Sequence, residues 1–477
     1  MPLKPVVFIP GFPASELRQT SRRRTIFPPS LVDLLDREKK KELVRLLSGP
    51  DDPPGDIVAG EPIRGVMEVA KQAQSLYDIL RQHFGYTLQG GDDLAPVGWD
   101  WRLAVDHPKV QDDIVQALDQ VSRANGDRRV VVIIHSTGGL VLRALLEQRP
   151  EVAARIERIL AFGVPWAGTL KAFLYVAQGE PFGLVIAGQR IVGFSKTEVR
   201  ELMSYCQAAY DLCPPDPAKT DLRGADGKAL NLFMAGNRQA GPLADLAWIP
   251  SGPSREFMRD LAGKADQRLG SRSSEIRLPG GAALPPITNV VGWGATTDTR
   301  CDMAADGSLD FGRGTKEGDG TVALVSASWL RGPGVRTFFL PIGVYPTSGI
   351  PNPHSRIWDS PPVLDLFHQV LADKAPEPFV CAAADGDQAI DRRSDVTLRL
   401  TAADENGNPL PNAKAAFPGF PGARAVAFGN SPRKEIVLRR GDLRGNAARD
   451  LFRFVVNVTW GAGASEERRE LPVLIRV

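Results

Sequence analysis

The chain has 477 residues, with 58 Lys and Arg against 56 Asp and Glu, giving a formal net charge of +2. This near-neutral balance does not favour a nucleic-acid-binding protein. Apolar residues make up 43% of the chain, enough for a large core, and the length suggests two or three domains. No apolar run is long enough for a transmembrane helix or a signal peptide, so we expect a cytoplasmic protein; export followed by removal of a leader would leave the same sequence.

The four cysteines, Cys206, Cys213, Cys301 and Cys381, form no CxxC or Cys/His cluster. The sequence therefore predicts no metal site, and no cofactor motif is present. Cys206 and Cys213 are close enough for a disulfide in an oxidising compartment, which the sequence alone does not decide.

The N-terminal third predicts one strand and several helices. Val6–Ile9 is a short buried-strand pattern that ends in a Pro-Gly turn. Residues 18–62 are rich in charge and proline, and we predict irregular structure there with one helix at Ser30–Leu47. Apolar residues at helical spacing predict helices over Gly65–Phe84 and Lys109–Ala124.

The strongest strand signal is Val130–Ile134, five consecutive β-branched residues. Such a run is typical of a strand buried on both faces in a parallel sheet. A helix is predicted at Gly139–Gln148 and a further strand at Ile156–Phe162, which completes a βαβ unit.

Residues 170–285 do not continue this alternation, and we predict that they form a cap over the sheet. Within them, a helix is expected around Thr197–Tyr210 and a strand at Asn231–Ala235. Two strands and a closing helix then resume the alternation, at Ile287–Val291, Val335–Leu340 and Val363–Ala372.

Residues 374–378 have the composition of a linker, after which apolar residues recur with period two. The stretch Val396–Phe417 resembles the strand and turn of bacterial immunoglobulin-like domains. We therefore expect an all-β, immunoglobulin-like sandwich over residues 376–477.

Ser136 lies in Ile134-His135-Ser136-Thr137-Gly138-Gly139, between the best strand and its helix. A serine hydroxyl becomes a useful nucleophile only when it is aimed and given a base. A tight strand-to-helix turn aims it, and the two glycines allow the close packing of that turn. Ile134 departs from the usual G-x-S-x-G pattern, and a serine that merely caps a helix is the alternative interpretation.

An acid and a base should follow the serine in the chain. We favour His354, in a loop after the last core strand, over His368, which lies within the closing helix. Asp319, in a glycine-flanked loop, is the best acid to orient His354. The carboxylates that compete with it on position alone are Asp298, Asp302, Asp306 and Asp310.

The oxyanion of an acyl-transfer reaction needs two backbone N–H donors. Thr137, directly after the serine, would supply one. Phe12, in the loop after the first strand, would supply the other, because its neighbour Pro13 has no N–H.

Several separated segments of the chain resemble one family. The chain is similar to lecithin:cholesterol acyltransferases and the related lysosomal phospholipase A-type enzymes of the α/β-hydrolase superfamily, as a bacterial-type member. The segments that carry the resemblance are Val6–Leu17, Trp99-Asp100-Trp101-Arg102-Leu103, His135–Gly139, Gly163-Val164-Pro165-Trp166-Ala167-Gly168, Gly318–Val322 and His354.

The resemblance implies a triad of Ser136, Asp319 and His354, and an oxyanion hole formed by Phe12 and Thr137. It places Trp99 and Trp166 near the acyl site, as substrate-binding candidates whose role is mostly structural. The family's lid cysteines and membrane-binding segment have no match here.

Together these observations predict an α/β fold. Residues 1–375 would form an α/β-hydrolase domain with a doubly wound, mostly parallel sheet, the cap at 170–285 and a candidate second lid segment at 18–62. The expected function is hydrolysis or O-acyl transfer on a lipid-like acyl ester through an acyl-enzyme on Ser136, with transient contact to a lipid surface. An esterase for a lactone, polyester or xenobiotic is one alternative. A non-catalytic binding or adhesion protein on a hydrolase scaffold is another. The sequence does not indicate what the C-terminal domain binds.

Overall fold

A computed structural model describes most of the chain. The described residues are 3–48, 55–63, 71–87, 93–180, 182–186, 189–214, 221–223, 227–228, 264, 273–304, 309–311, 314–315, 317–342, 353–372, 380–384, 396–404, 408–418, 425–438 and 451–476. The strand predicted at Asn231–Ala235 and the linker predicted at 374–378 lie outside these residues.

The strands before residue 342 are β1 (Val6–Ile9), β2 (Ser15–Gln19), β3 (Arg24–Phe27), β4 (Ile57–Pro62), β5 (Leu94–Pro96), β6 (Val130–His135), β7 (Ile156–Phe162), β8 (Phe182–Ile186), β9 (Gln189–Phe194), β10 (Asp221–Arg223), β11 (Ile287–Trp293), β12 (Arg300–Met303), β13 (Leu309–Asp310) and β14 (Val335–Pro341). The α-helices are α1 (Leu31–Leu35), α2 (Arg37–Leu47), α3 (Lys71–Phe84), α4 (Pro108–Ala124), α5 (Gly138–Gln148), α6 (Leu170–Ala177), α7 (Lys196–Tyr205), α8 (Gln207–Asp211), α9 (Leu324–Ala327) and α10 (Pro361–Leu371).

A six-stranded parallel sheet lies at the centre, in the order β14-β11-β7-β6-β1-β5. Every residue of β6 is buried, which explains its uninterrupted β-branched sequence. Its alternate side chains enter two separate cores: Val130 and Val132 pack on one face, and Val131 and Ile133 on the other. The predicted parallel sheet is confirmed.

Helices cover both faces of this sheet. The apolar stripe of α4 packs with the Val130 face, while those of α3 and α10 pack with the Val131 face. The chain begins α4 at His107, whose side chain accepts a hydrogen bond from Lys109 N, and Pro108 occupies the first helical position. Within the described residues, no helix is both long enough and apolar enough to cross a membrane.

The prediction of irregular structure over residues 18–62 is wrong in part. Strands β2, β3 and β4 form an antiparallel sheet in the order β3-β2-β4. The single helix expected at Ser30–Leu47 is two helices, because Asp36 ends α1 and its carboxylate caps the N-terminus of α2.

The described part of residues 170–285 contains the β8–β9 hairpin and the helices α7 and α8; that these residues form a cap stays a prediction. Cys206 and Cys213 are buried and unbonded to each other, so the candidate disulfide is absent. Their Sγ atoms lie 2.9 Å from Trp101 O and 3.3 Å from Ala209 O respectively. Burial raises the pKa of both thiols, so they are chemically quiet.

The C-terminal part contains β15 (Val380–Ala384), β16 (Val396–Ala402), β17 (Lys414–Ala416), β18 (Val426–Ala427), β19 (Arg433–Leu438), β20 (Leu451–Trp460) and β21 (Glu467–Arg476). We call these strands the C-terminal β-unit. They form two antiparallel sheets, β15-β16-β19 and β18-β17-β20-β21, and side chains of both sheets share one apolar core. The all-β expectation is confirmed, while the immunoglobulin-like topology stays a prediction.

Candidate active site

Ser136 stands in a strained turn at the carboxyl end of β6. Its φ is +50°, a left-handed conformation that is unusual for a residue other than glycine. The turn is tight: a Cβ on Gly138 would lie 2.5 Å from Ile9 O, and one on Gly139 would lie 2.4 Å from a Val164 methyl carbon. The two glycines that follow Thr137 therefore allow α5 to start directly beneath β1 and Val164.

Ile134 is accommodated where the usual motif has glycine. It is buried in the core and pairs in register with Ile9 on one side and the small Ala161 on the other. The close approach to Ser136 comes instead from Gly11, where a Cβ would lie 2.7 Å from Ser136 Cβ. A glycine distant in sequence thus supplies space beside the serine.

Asp319 and His354 form a buried acid–base pair. His354 Nδ1 and Asp319 Oδ2 are 2.7 Å apart, and the side chains are 4% and 1% exposed. The other carboxylate oxygen, Oδ1, accepts hydrogen bonds from the N–H groups of Thr321 and Val322 at 3.0 and 2.8 Å. The carboxylate is thereby fixed and satisfied, with one oxygen directed at the imidazole.

The described alternatives to Asp319 and His354 have other neighbours. Asp302 pairs with Arg300. Asp310 is exposed on β13, and burial raises the pKa of Asp298, whose principal charged neighbour is Lys171. Asp306 lies outside the described residues. His368 packs against the ring of Phe84 on α3 at a centroid distance of 4.6 Å, which places it among the helices rather than at the sheet edge.

The serine and the acid–base pair meet through His135. The imidazole rings of His135 and His354 have centroids 4.7 Å apart, and His135 Nε2 lies 3.0 Å from His354 O. Among the described residues, the structure has no hydrogen bond between Ser136 Oγ and His354. Asp319 and His354 are thus in contact, and Ser136, the predicted nucleophile, lies at the same sheet edge without a hydrogen bond to His354.

His135 is a residue whose role the sequence analysis missed. It is completely buried, and burial is the first reason that its pKa lies well below 6.5; repulsion from His354 is the second. The neutral ring must carry its proton on Nε2 to donate to the carbonyl of His354. The signal available in the sequence was the position of His135 directly before the serine.

Gly163 is a second missed residue. Its φ is +54°, and a Cβ there would lie 2.9 Å from Asp319 Oδ2 and 3.0 Å from His354 Nδ1. The chain needs glycine here because any side chain would push the acid and base apart.

The two predicted oxyanion donors have no acceptor among the described residues. Phe12 is half-buried in the loop after β1, and its ring packs edge-on against Trp101 at 5.4 Å. Thr137 is fully buried at the N-terminus of α5, where it makes no side-chain capping bond. Its Oγ1 has no partner among the described residues either.

Trp99 and Trp166 are 0% and 1% exposed, and protein groups satisfy both indole N–H groups. Trp99 Nε1 donates to Pro10 O at 3.0 Å, behind the Phe12 loop, and Trp166 Nε1 donates to Asn289 Oδ1 at 3.1 Å. This burial favours the packing role for both, and substrate binding by them stays a prediction.

A parallel sheet with helices on both faces, and a serine in a left-handed turn between a central strand and its helix, define the α/β-hydrolase class. Residues 67–231 match the family model described as Lecithin:cholesterol acyltransferase. Over that segment the chain is similar to lecithin:cholesterol acyltransferases. It is 21% identical over 141 residues to Lecithin-cholesterol acyltransferase-like 4 of Arabidopsis thaliana, a match that covers 29% of this chain and 26% of that protein.

Three solved structures are similar in part. The Tle4–Tli4 complex aligns with a TM-score of 0.47 and 14% identity, over 75% of this chain and 95% of that chain. Lipase BlEst2 of Bacillus licheniformis aligns with a TM-score of 0.28 and 11% identity, over 77% of this chain and 92% of the lipase chain. Phospholipase PlaB of Legionella pneumophila aligns with a TM-score of 0.29 and 11% identity, over 99% of this chain and 94% of the phospholipase chain.

Proposed function

We propose that the protein is a serine-dependent hydrolase or acyltransferase of lipid-like acyl esters. The observation that carries the proposal is the buried 2.7 Å contact between His354 Nδ1 and Asp319 Oδ2, at the sheet edge where Ser136 occupies its strained turn. Left-handed backbone at a non-glycine residue costs about 1–3 kcal/mol and is typical of functional sites. A binding protein on this scaffold would have no need for that cost or for the oriented imidazole.

The proposed reaction is acyl transfer in two steps. Ser136 Oγ attacks the ester carbonyl carbon while His354 Nε2 takes the hydroxyl proton, and Asp319 holds the ring and stabilises the imidazolium. The C–O bond to the leaving alcohol then breaks, and His354 returns the proton to that alcohol. Water or an acceptor alcohol next attacks the acyl-enzyme with the same base, which regenerates Ser136.

The oxyanion would be held by the backbone N–H groups of Phe12, in the loop after β1, and Thr137, directly after Ser136. Neither N–H group has an acceptor among the described residues. Each such donor contributes about 10²–10³-fold to kcat in well-studied cases. The missing Ser136–His354 hydrogen bond is consistent with this proposal because such bonds often form only with substrate present.

Two findings support a lipid-like substrate. The first is the family match. The second is α1, whose Leu31, Val32 and Leu35 side chains are 50%, 62% and 69% exposed, an arrangement suited to a lipid surface. This helix follows Phe27, whose ring packs on Trp101 at 4.9 Å and through it connects to Phe12.

Covalent labelling with a fluorophosphonate tests the chemistry. We expect one label on Ser136, none on Ser136→Ala, and complete loss of turnover in that variant. The matched control is Ser465→Ala, which changes an exposed serine between β20 and β21 and should behave as the wild type. Labelling of a different serine in Ser136→Ala, with turnover retained, would contradict the proposal.

A substrate series tests the acyl ester. Nitrophenyl esters of increasing chain length are compared with phospholipid vesicles, for the wild type and Leu35→Ser. A lipid substrate predicts preference for long acyl chains, and a selective loss of vesicle hydrolysis in Leu35→Ser. Sharp preference for short soluble esters, unaffected by Leu35→Ser, would instead identify the non-lipid esterase.

A further inference from the structure

One face of the C-terminal β-unit is polar, and part of it is buried against the end of the central sheet. Thr401 pairs with Arg433, and Arg399 with Glu435, across the antiparallel strands β16 and β19. Because alternate residues of a strand share a face, these four side chains project on the same side. Thr401 is 0% exposed and Arg399 is 2% exposed.

This polar face contacts Trp293, the last residue of β11. Trp293 Nε1 donates a hydrogen bond to Thr401 Oγ1 over 3.0 Å, and both partners are buried. The Arg433 guanidinium lies over the Trp293 ring at 5.6 Å and over the Phe339 ring at 5.3 Å. These contacts fix the orientation of the indole.

Gly294, the residue after Trp293, packs closely against the same polar face of the C-terminal β-unit. Gly294 has a φ of +98°, and a Cβ there would lie 2.4 Å from Arg399 Cδ and 2.6 Å from its Nε. Arg399 Nε also donates to Glu435 Oε1 over 3.0 Å, which holds the guanidinium in place. The chain therefore turns away from the sheet directly against the C-terminal β-unit.

The segment that follows this turn carries the loop of the acid. Ala295 N donates to Gly318 O at 3.0 Å, and Gly320 N donates to Thr297 Oγ1 at 2.8 Å. Both sequence neighbours of Asp319 are therefore hydrogen-bonded to the segment after Trp293. A direct contact adds to this: Arg433 Nη1 lies 3.0 Å from Glu317 Oε2.

We propose that the C-terminal β-unit is a positioning element of the catalytic centre. Its polar face holds Trp293, and the segment after Trp293 holds the loop that presents Asp319 to His354. This inference rests on the proposed function, because it assigns the β-unit a part in the same reaction. Thr401 and Arg433 are positioning residues that touch no substrate.

The burial of the contact explains why it can act in this way. A tethered domain has a small, wet interface and moves freely. Here a buried indole N–H and a buried hydroxyl satisfy each other. A rotation that moved them apart while both stayed buried would leave them unpaired, which costs about 1–3 kcal/mol per group. A single docking geometry is thereby favoured over others.

The test compares Thr401→Val with Thr401→Ser in the full-length protein. Valine keeps the shape and removes the acceptor, whereas serine keeps the acceptor. We expect Thr401→Val to lower kcat about tenfold, or about 1.4 kcal/mol in the barrier, with KM unchanged. The rate of Ser136 labelling by a fluorophosphonate should fall in parallel. Thr401→Ser should stay within about twofold of the wild type, with kcat counted per labelled site.

The matched control is Thr459→Val on β20, in the other sheet of the β-unit, which should leave kcat unchanged. Trp293→Phe serves as a second variant if Thr401→Val does not fold, because it removes the donor while keeping an aromatic ring beneath Arg433. In a double-mutant cycle, the variant that carries both changes should lose no more kcat than Thr401→Val alone.

The outcomes separate the two proposals. A wild-type protein that is never labelled at Ser136 overturns the proposed function. Normal labelling of the wild type, with Thr401→Val and Trp293→Phe matching Thr459→Val in kcat, overturns the positioning role and leaves the proposed function intact. Loss of thermal stability with full kcat in the folded fraction would likewise reduce the contact to a structural one.

Discussion

His135 Nε2 donates a hydrogen bond to the backbone carbonyl of His354 over 3.0 Å, across a sequence separation of 219 residues. The residue before the proposed nucleophile thereby holds the segment that carries the proposed base. The same ring packs against Trp358 at a centroid distance of 5.0 Å, and Trp358 Nε1 donates to Ser75 Oγ on α3 at 2.9 Å. The base is thus fixed from both the sheet and a covering helix.

The first prediction concerns this hydrogen bond. His135→Phe removes the donor to the His354 carbonyl, so we expect kcat to fall by about tenfold or more, since small displacements of a catalytic base are costly. His135→Gln can place an N–H near the same position and should retain more activity. Steady-state kinetics on a nitrophenyl ester checks both. Equal kcat in His135→Phe and the wild type would show that the bond has no positioning role.

The second prediction concerns stability against pH. The pKa of His135 in the folded protein is well below 6.5, so below about pH 6.5 the unfolded chain binds a proton that the folded chain does not. The free energy of unfolding should therefore fall with decreasing pH in this range, by up to about 1.4 kcal/mol per pH unit from this group.

The measurement is urea unfolding of the wild type and His135→Gln at about pH 7 and about pH 5. The difference between the two pH values should be smaller in His135→Gln because glutamine does not titrate. An identical pH dependence in both proteins would mean that His135 titrates normally in the folded state.

The third prediction concerns Thr137. Its hydroxyl is buried without a partner among the described residues, while its backbone N–H is the proposed oxyanion donor. Thr137→Val removes the unsatisfied group and keeps both shape and N–H. We expect the variant to be more stable by about 1 kcal/mol with kcat unchanged. Thermal unfolding and steady-state kinetics check this. A large loss of kcat would instead indicate that the hydroxyl itself binds the oxyanion.

The fourth prediction concerns Gly11. A Cβ at this position would lie 2.7 Å from Ser136 Cβ and 3.2 Å from His135 Nδ1. Gly11→Ala must therefore displace either Ser136 or the loop of Phe12. We expect kcat to fall by about 100-fold or more, as for loss of one oxyanion donor.

The control for Gly11→Ala is Gly126→Ala. Gly126 has a φ of +69° and open space around it, so alanine there strains the backbone far from Ser136. That variant should lose some thermal stability and keep its kcat. Comparable loss of kcat in the two variants would trace the effect of Gly11→Ala to folding.

The central sheet was predictable because its strands are buried on both faces. The runs Val6–Ile9 and Ile156–Phe162 coincide with β1 and β7. The β2–β3–β4 sheet was not, since a polar segment such as Ser15–Gln19 becomes a strand only through pairing with Ile57–Pro62, beyond two intervening helices. Tertiary pairing there overrides local propensity.

Asp319 and His354 were proposed from chain order, and the structure brings the two side chains together; their roles as acid and base stay predictions. What the sequence could not reveal is contact between distant positions. Gly11 lies close to Ser136 only because β1 and β6 are neighbours in space. The hydrogen bond between Trp293 and Thr401 likewise joins two segments that are distant in sequence, and no local sequence pattern predicts it.

The position of β1 has a consequence for how the chain reaches its native state. This first strand lies inside the sheet, where Val6 pairs with Leu94 on one side and with Val131 on the other. Both partners are made long after it, so its apolar side chains have no sheet to join during much of synthesis. Non-local pairing of this kind slows folding and leaves apolar segments exposed and prone to aggregation. We expect production of active protein to depend strongly on chaperones and temperature, and on leaving this first strand unaltered.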